Sequence, residues 1–270
     1  MQLRTIAWLL LAMAASSLMT AAMLYYGDTK VTIPPPGSGI EFSPKTTTIQ
    51  RPYFFYAARS GATALDKGRG GGNPFADAVI LAIRDQDLTL SRLSHMVAVE
   101  TENYSRDERS GRVRQVAEVP CIAPGKDQNL SSARVAGSAA ALVVVVSTYQ
   151  RGIASLEGAR VDASRIGDAL RIAGFDTKVL LDASSKEIRS ELQRFAKQSS
   201  TAEVAAIYVT GHGTEIDGEV YLVPREYRRG ATDFVWSRDA FSTKYIAQFA
   251  RAARANLVFF GGCRDNSFLK

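Results

Sequence analysis

Two residues that are able to do nucleophilic chemistry follow apolar segments of this sequence. His212 comes after "VAAIYVT" and lies between two glycines, and Cys263 comes after "NLVFFGG". A thiol becomes a strong nucleophile when a nearby imidazole takes its proton, and acyl transfer also needs N–H donors for the developing oxyanion. The backbone N–H groups of Gly213 and Cys263 are the natural donors, because glycine lets a substrate carbonyl approach closely. The pattern predicts a Cys–His dyad for acyl transfer.

Each of these two residues also has a simpler interpretation. A histidine in a glycine turn is often structural, and a cysteine at the end of a strand is often a small buried hydrophobic residue. We favour catalysis because both residues follow predicted strands, and reactive groups gather at the carboxyl ends of parallel strands. The other such pair, His95 and Cys121, lies in an amphipathic helix and a linker, and we interpret both residues as structural or incidental.

The second half of the chain alternates between strand-like and helix-like segments. The predicted strands are 140–147, 177–182, 203–210 and 256–263. Helices are predicted over 162–175 and 242–255, and a third starts at a Ser184–Glu187 capping box and has Ile188, Leu192 and Phe195 on its inner face. This alternation is typical of an α/β fold with a mostly parallel central sheet and helices on both faces. The third and fourth strands then bring His212 and Cys263 to the same edge of the sheet.

The first half contains similar elements in a less regular order. Residues 52–58 read as a buried strand, and a glycine-rich loop follows. Asn73 and Pro74 have the types expected at the N-cap and first turn of a helix, and a second helical stretch covers 88–105. Residues 110–120 read as a turn and an extended segment, and 121–138 as a linker.

Composition excludes several classes of protein. The chain has 270 residues, of which 46% are hydrophobic, so a globular body with a sizeable core is expected. The net charge of +6 is modest and no long basic tract occurs, so we expect no nucleic-acid partner. The only two cysteines lack metal-ligand spacing, so we expect no zinc or other metal site, although a single disulfide is possible.

The amino terminus predicts export. Arg4 precedes an uncharged apolar stretch from Thr5 to Tyr26, which suits a cleaved signal peptide or a retained membrane anchor over residues 1–27. A buried core helix is the structural alternative. Residues 28–51 are rich in Pro, Gly and Thr and read as a flexible tether. The protein is therefore expected to be periplasmic, secreted or anchored to a membrane by this segment.

Four blocks of the second half resemble the caspase/metacaspase superfamily of cysteine peptidases, its bacterial branch in particular. They are "ALVVVVSTYQ", "LEGARVDASRIGDALRIAGFDTKVLLDAS", "YVTGHGTEIDGEVYLVP" and "FFGGCRDNSF". His212 and Cys263 are also about 50 residues apart, as in caspase-type peptidases. The resemblance implies a caspase-like three-layer sandwich, His212 as base, Cys263 as nucleophile and a protein or peptide substrate. It implies no cofactor, and it leaves calcium dependence open.

The order of the two halves departs from the usual family pattern. A small-subunit-like half normally follows the cysteine, whereas this sequence ends shortly after Cys263. Residues 52–120 resemble that half, with a strand, a glycine-rich loop, an "NPF" helix start and a "GRVRQVAEVP" segment. The order resembles type III metacaspases, so we predict a circular permutation with the large-subunit-like half at 139–270. The alternative is a gene fragment with an unrelated amino-terminal region.

The resemblance also bears on specificity. Asp162 matches an acid that helps metacaspases bind basic side chains, so it is a candidate substrate-binding residue for Arg or Lys. Its other interpretation is a helix-start residue of the fold. Leu156 occupies the position of a caspase arginine, which argues against cleavage after Asp. Gly261 replaces the usual acid two residues before the cysteine, which weakens basic specificity and leaves altered or lost activity open.

Two other function classes compete with a peptidase. A catalytically impaired member can keep the fold as a binding or assembly module, as Gly261 and the rearranged order suggest. A flavodoxin-like domain for a small ligand is the third possibility. The stretch after the first strand of the second half, "STYQRGIASLEG", lacks the glycine spacing of a phosphate-binding loop, which disfavours this third possibility.

Overall fold

The structure is a computed structural model that describes residues 50–107, 109–134, 138–150, 152–266 and 268. The predicted signal or anchor at 1–27 and nearly all of the predicted tether at 28–51 lie outside these residues, so both stay predictions. Within the described ranges, no helix combines the length and the apolar character that crossing a bilayer requires.

The centre of the fold is a sheet of five parallel strands. Their order across the sheet is β1–β8–β4–β2–β3, with bounds β1 Pro52–Tyr56, β2 Ala139–Val145, β3 Asp176–Leu181, β4 Val204–Thr210 and β8 Ala255–Phe260. All four pairings are parallel. Both β2 and β4 are completely buried, as continuous apolar runs in a doubly covered sheet require.

Helices cover both faces of this sheet. The helices α1 Pro74–Ile83, α2 Leu90–Ser105 and α3 Glu157–Ile172 pack on one face, and α4 Ser185–Ser199 and α6 Thr243–Ala247 pack on the other. Side chains of β2 alternate between the two cores: Val143 faces the first, and Leu142 and Val144 face the second. The prediction of an α/β fold with a parallel sheet between two helical layers is confirmed.

Local capping signals fix two of the helices. The Asn73 side chain accepts a hydrogen bond from the N–H of Phe75, and Pro74 begins α1, as predicted. Ser184 and Glu187 form a reciprocal capping box at the start of α4.

The helix α3 begins at Glu157, earlier than the predicted residue 162. The carboxylate of Asp66, distant in sequence, accepts from the first N–H groups of this helix and moves its start.

The predicted helix over 242–255 is wrong beyond Ala247. The residues that follow turn instead, and the buried side chain of Asn256 binds both the N–H and the C=O of Ala252. That side chain takes the backbone groups that a continuing helix needs.

A small antiparallel sheet was not predicted. It contains β5 Gly213–Ile216, β6 Glu219–Leu222 and β7 Phe241–Ser242, with the short helix α5 Trp236–Asp239 before β7.

The strand β1 extends the central sheet beside β8. Tyr53 pairs with Leu257 and Phe55 with Phe259, in parallel register. On its other side, Tyr56 exchanges two backbone hydrogen bonds with Glu118, which lies in the extended segment after α2. The first half of the chain therefore packs directly beside the strand that leads to Cys263.

Candidate active site

Two glycine-flanked loops meet at the carboxyl ends of neighbouring strands. The strand β4 ends just before Gly211-His212-Gly213, and β8 ends just before Gly261-Gly262-Cys263. A Cβ atom at Gly213 would lie 2.4 Å from the carbonyl oxygen of Cys263, and one at Gly262 would lie 2.7 Å from that of Gly211. Only glycine allows this backbone contact, so the glycines that the sequence places around His212 and Cys263 bring the two loops together.

His212 and Cys263 line one open cavity of about 430 Å³. The residues around this cavity are Thr63, Gly152, Ile153, Ala154, His212, Arg229, Cys263, Asp265 and Phe268. Within the described residues, no hydrogen bond joins the imidazole of His212 to the thiol of Cys263; each has a backbone partner instead. The cavity brings together the two residues that the sequence analysis selected, and it presents them to solvent.

The imidazole is held by groups that the sequence did not predict. Its Nε2 lies 2.8 Å from the carbonyl oxygen of Ala154, and its ring packs between the rings of Tyr149 and Phe268. A carbonyl only accepts hydrogen bonds, so Nε2 carries the proton and Nδ1 has the free lone pair. Burial lowers the pKa of His212 below its ordinary value. The ring is therefore a neutral base at neutral pH.

The thiol of Cys263 is turned toward the loop that follows β1. The N–H of Ala64 donates to Sγ at 3.3 Å, and Sγ lies 3.6 Å from the carbonyl oxygen of the same residue. Burial raises the pKa of the Cys263 thiol, while the Ala64 hydrogen bond acts in the opposite direction. A neutral thiol thus lies in the same cavity as a neutral imidazole, the resting state that general-base activation requires.

Among the described residues, no acceptor is found for the backbone N–H groups of the two predicted oxyanion donors. Gly213 faces Leu222 across β5 and β6, and the N–H of Val223 donates to the carbonyl of His212. This register makes Gly213 a non-hydrogen-bonded position of the ladder. The N–H of Cys263 likewise has no acceptor among the described residues. Cys263 lines the cavity, and Gly213 follows the lining residue His212 directly in the chain.

Asp162, the predicted substrate-binding acid, does not line this cavity. Its side chain is fully buried in the middle of α3, where Oδ2 accepts from the N–H of Asn73 and Oδ1 lies 3.4 Å from Arg165. The same guanidinium contacts Asp77. Gly72 covers the carboxylate closely, since a Cβ there would lie 1.9 Å from Oδ1. These contacts favour the structural interpretation of Asp162, although its position in the helix is internal rather than at the start.

The other two specificity positions have simple structural settings. Leu156 is half-buried and packs against the core beside α3. Gly261 has no room for a side chain, because a Cβ would lie 2.7 Å from Oγ1 of Thr210 and 3.1 Å from the hydroxyl of Tyr208. An aspartate at position 261 would require these neighbours to move.

Both cysteines are free, so the disulfide that the sequence left possible is not formed. Cys121 and His95 are exposed and lie outside the cavity, in keeping with their interpretation as incidental. Among the residues for which the structure gives positions, no group of His, Cys, Asp or Glu is arranged to hold a metal ion.

We expect Asp162→Asn to flatten the pH dependence of stability. Burial raises the pKa of Asp162 to about 7 from an ordinary 3.8, so the folded state binds this proton more tightly than the unfolded chain. The resulting stabilisation is complete below pH 3.8 and is lost as the pH rises toward 7. Urea unfolding between pH 4 and pH 8 gives the free energy of unfolding of wild type and variant, and the difference between the two curves measures this stabilisation.

A matched control is Asp168→Asn, whose carboxylate on the same helix is 67% exposed. We expect its unfolding free energy to follow the wild-type pH curve. An Asp162→Asn curve that also runs parallel to wild type across this range would contradict the assigned pKa.

Residues 138–270 match the family model that describes the caspase domain of peptidase family C14. This part of the chain, which carries β4, β8 and both cavity loops, is therefore similar to the caspase domain. Among solved structures, the crystal structure of caspase-1 from Spodoptera frugiperda is 18% identical, with a TM-score of 0.37, and the match covers 47% of this chain and 47% of that chain. No curated protein matches the chain.

Proposed function

We propose that this chain is a cysteine endopeptidase in which Cys263 is the nucleophile and His212 the general base. One observation carries the proposal: both side chains line a single open cavity at the ends of adjacent parallel strands, within the caspase-like region. The N–H groups of Gly213 and Cys263 complete the set of groups that acyl transfer needs. The substrate is a protein or peptide, and no cofactor takes part.

The reaction uses the protonation states of the resting site. Nδ1 of His212 takes the proton from Sγ as the thiolate attacks the substrate carbonyl, and a C–S bond forms while the carbonyl oxygen becomes an oxyanion. The N–H groups of Gly213 and Cys263 hold that oxyanion. The imidazolium then protonates the leaving amine as the C–N bond breaks, and water hydrolyses the thioester by the same route. The carbonyl of Ala154 accepts from Nε2 throughout, so the transferred proton moves to and from Nδ1 only.

In the resting site the thiol is not hydrogen-bonded to its proposed base. Sγ accepts from the N–H of Ala64 instead. Catalytic hydrogen bonds are often formed only when substrate is bound, so this geometry is compatible with a resting enzyme.

We further propose that the caspase-like domain is circularly permuted. The strand β1, which precedes the caspase-like region in sequence, pairs in parallel with β8 and continues the sheet on the side of the nucleophile. This pairing supports the proposal that residues 52–120, which contribute β1 to the sheet, correspond to the half that follows the cysteine in the family that the sequence resembles. The relation to type III metacaspases rests on this order.

A preference for Arg or Lys remains a prediction from the resemblance. The carboxylate of Asp162 is occupied by Arg165 and Asn73, and Gly261 has no acid. Among the described residues that line the cavity, Asp265 is the one acid and Arg229 the one permanent cation. Cleavage rates for peptides that differ only in Arg, Lys, Asp or a neutral residue before the scissile bond test the preference.

A peptidyl vinyl sulfone tests the proposed function. Such a probe presents an electrophilic carbon where a substrate carbonyl would lie, and the Cys263 thiolate adds to it to form a stable thioether. We expect mass spectrometry to find the probe on Cys263 and not on exposed Cys121. His212→Ala is expected to reduce this labelling by at least about 100-fold, because the thiol then lacks its base. Equal labelling of both cysteines would contradict the proposal.

The second candidate is a catalytically impaired binding or assembly module. The observation that favours it is the pairing of Sγ with Ala64 rather than with His212. Slow labelling of Cys263, at the rate of a free thiol, together with intact folding, would support this candidate over the peptidase.

A further inference from the structure

The buried side-chain amide of Gln115 forms hydrogen bonds to both ends of the loop that contacts Cys263. Gln115 is 2% exposed and lies in the extended segment after α2. Its Nε2 donates to the carbonyl of Ala57 at 3.0 Å, and its Oε1 accepts from the N–H of Leu65 at 2.8 Å. Ala57 and Leu65 are the two ends of the loop 57–65, which leaves β1 and passes over Cys263. One side chain thus ties both ends of this loop.

The loop 57–65 is joined to the nucleophile by a short row of hydrogen bonds. The N–H of Gly61 donates to the carbonyl of Arg264, and the N–H of Arg264 donates to the carbonyl of Ala62 at 2.9 Å. The N–H of Ala64 is next in the row and donates to Sγ of Cys263. Because Leu65 follows Ala64 directly, the hydrogen bond from Leu65 to Gln115 sets where the Ala64 donor lies.

The same carboxamide also reaches the loop that carries the nucleophile. Nε2 of Gln115 lies 3.2 Å from Oδ1 of Asn73, and Nδ2 of Asn73 donates to the carbonyl of Gly261 at 2.8 Å. Asn73 is 4% exposed. Gln115 is therefore linked to both sides of the thiol: through Leu65 to its hydrogen-bond donor, and through Asn73 to the backbone two residues before it.

We propose that Gln115 is a positioning residue for the nucleophile, which fixes the loop 57–65 so that the Ala64 N–H lies against Sγ of Cys263. The inference rests on the proposed function only in treating Cys263 as the nucleophile. A hydrogen bond to the charged form favours that form, so the Ala64 N–H stabilises the thiolate. Gln115 lies outside the region that matches the caspase family model, and the first half of the chain thereby sets the reactivity of a cysteine in the second.

The test is the pH profile of Cys263 alkylation by iodoacetamide, in the full chain with Cys121→Ala. The midpoint of this profile reports the thiolate equilibrium, and its plateau reports access. We expect Gln115→Met, which keeps the length of the side chain but removes its hydrogen bonds, to raise the midpoint by about one pH unit. This is a tenfold loss of thiolate at a given pH. The charged groups beside the thiol, His212, Asp265 and Arg229, are unchanged.

A matched control separates this effect from a general loss of packing. Gln198→Met makes the same substitution on α4, where the side chain donates to Asp176 at the opposite edge of the sheet. We expect its midpoint to equal that of wild type. Where peptide cleavage is measurable, Gln115→Met should lower kcat about tenfold with little change in KM.

If Gln115→Met does not fold, the same alkylation profile is measured on Gln115→Glu. It keeps an oxygen for the N–H of Leu65 but loses the donor to Ala57, and we expect a midpoint shift in the same direction. An unchanged midpoint in the folded variant overturns the positioning role. Because alkylation needs no substrate, this result is independent of the proposed function: a chain without peptidase activity still reports the shift.

Discussion

Cys263→Ala is expected to lower kcat/KM for peptide cleavage by at least about 10³-fold, and His212→Ala is expected to lower it by a similar factor. The first change removes the thiol of the cavity, which forms the thioester, and the second removes the lone pair that takes its proton. Each loss corresponds to about 4 kcal/mol of transition-state stabilisation. Initial rates with a fluorogenic peptide, measured over a range of enzyme concentrations, give the comparison.

The double variant distinguishes a dyad from two independent contributions. Because a nucleophile and its base act as one unit, Cys263→Ala with His212→Ala should be no slower than either single variant. Cys121→Ala, at an exposed position outside the cavity, should keep wild-type kinetics. Cleavage that survives in Cys263→Ala, or losses that multiply in the double variant, would remove the dyad from the mechanism.

The residue after the nucleophile is expected to give the largest loss of stability. The side chain of Arg264 is 7% exposed, and it pairs with Glu215 at 2.8 Å and Glu118 at 2.7 Å. It also donates to the carbonyl of Ala58 and lies over the ring of Tyr56. Arg264→Met leaves two carboxylates without their cation, and that of Glu215 is only 13% exposed. We expect the free energy of unfolding to fall by about 3–5 kcal/mol.

Urea unfolding at pH 7 measures this loss, and Arg254→Met is its control. Arg254 pairs with Glu203 at 3.3 Å, but both side chains are more than a third exposed. Water screens such a pair, so we expect a change of less than about 1 kcal/mol. A similar small change for Arg264→Met would show that Glu215 and Glu118 find other partners or water when the guanidinium is removed.

The elements that the sequence predicted well are those with local signals. Val143 and its neighbours form a continuous apolar run, and Asn73-Pro74 and Ser184-x-x-Glu187 are helix starts that depend on adjacent residues only. The meeting of His212 and Cys263 in one cavity also followed from a general rule, that the ends of parallel strands share one edge of the sheet.

The elements that the sequence did not predict depend on partners far away in the chain. Ala154 orients the imidazole through a backbone carbonyl, which any residue type supplies, so no side-chain pattern marks it. Asn256 holds the turn at Ala252, after α6, from the following strand, and Gln115 reaches Leu65 across about 50 residues of chain. The burial of Asp162 also depends on contacts between α3 and the start of α1, which its helix alone does not show.

The pairing of β1 with β8 has a consequence for how the chain folds during synthesis. Within the described residues, β8 is the sole neighbour of β1 in the sheet, and about 200 residues separate the two strands. The aromatic stretch Tyr53–Tyr56 leaves the ribosome long before β8 and cannot pair with β8 until nearly the whole domain has been made. Such long-range closure is slow and leaves an unpaired apolar edge in the meantime. Nascent chains should therefore depend on chaperones until β8 has left the ribosome and can pair with β1.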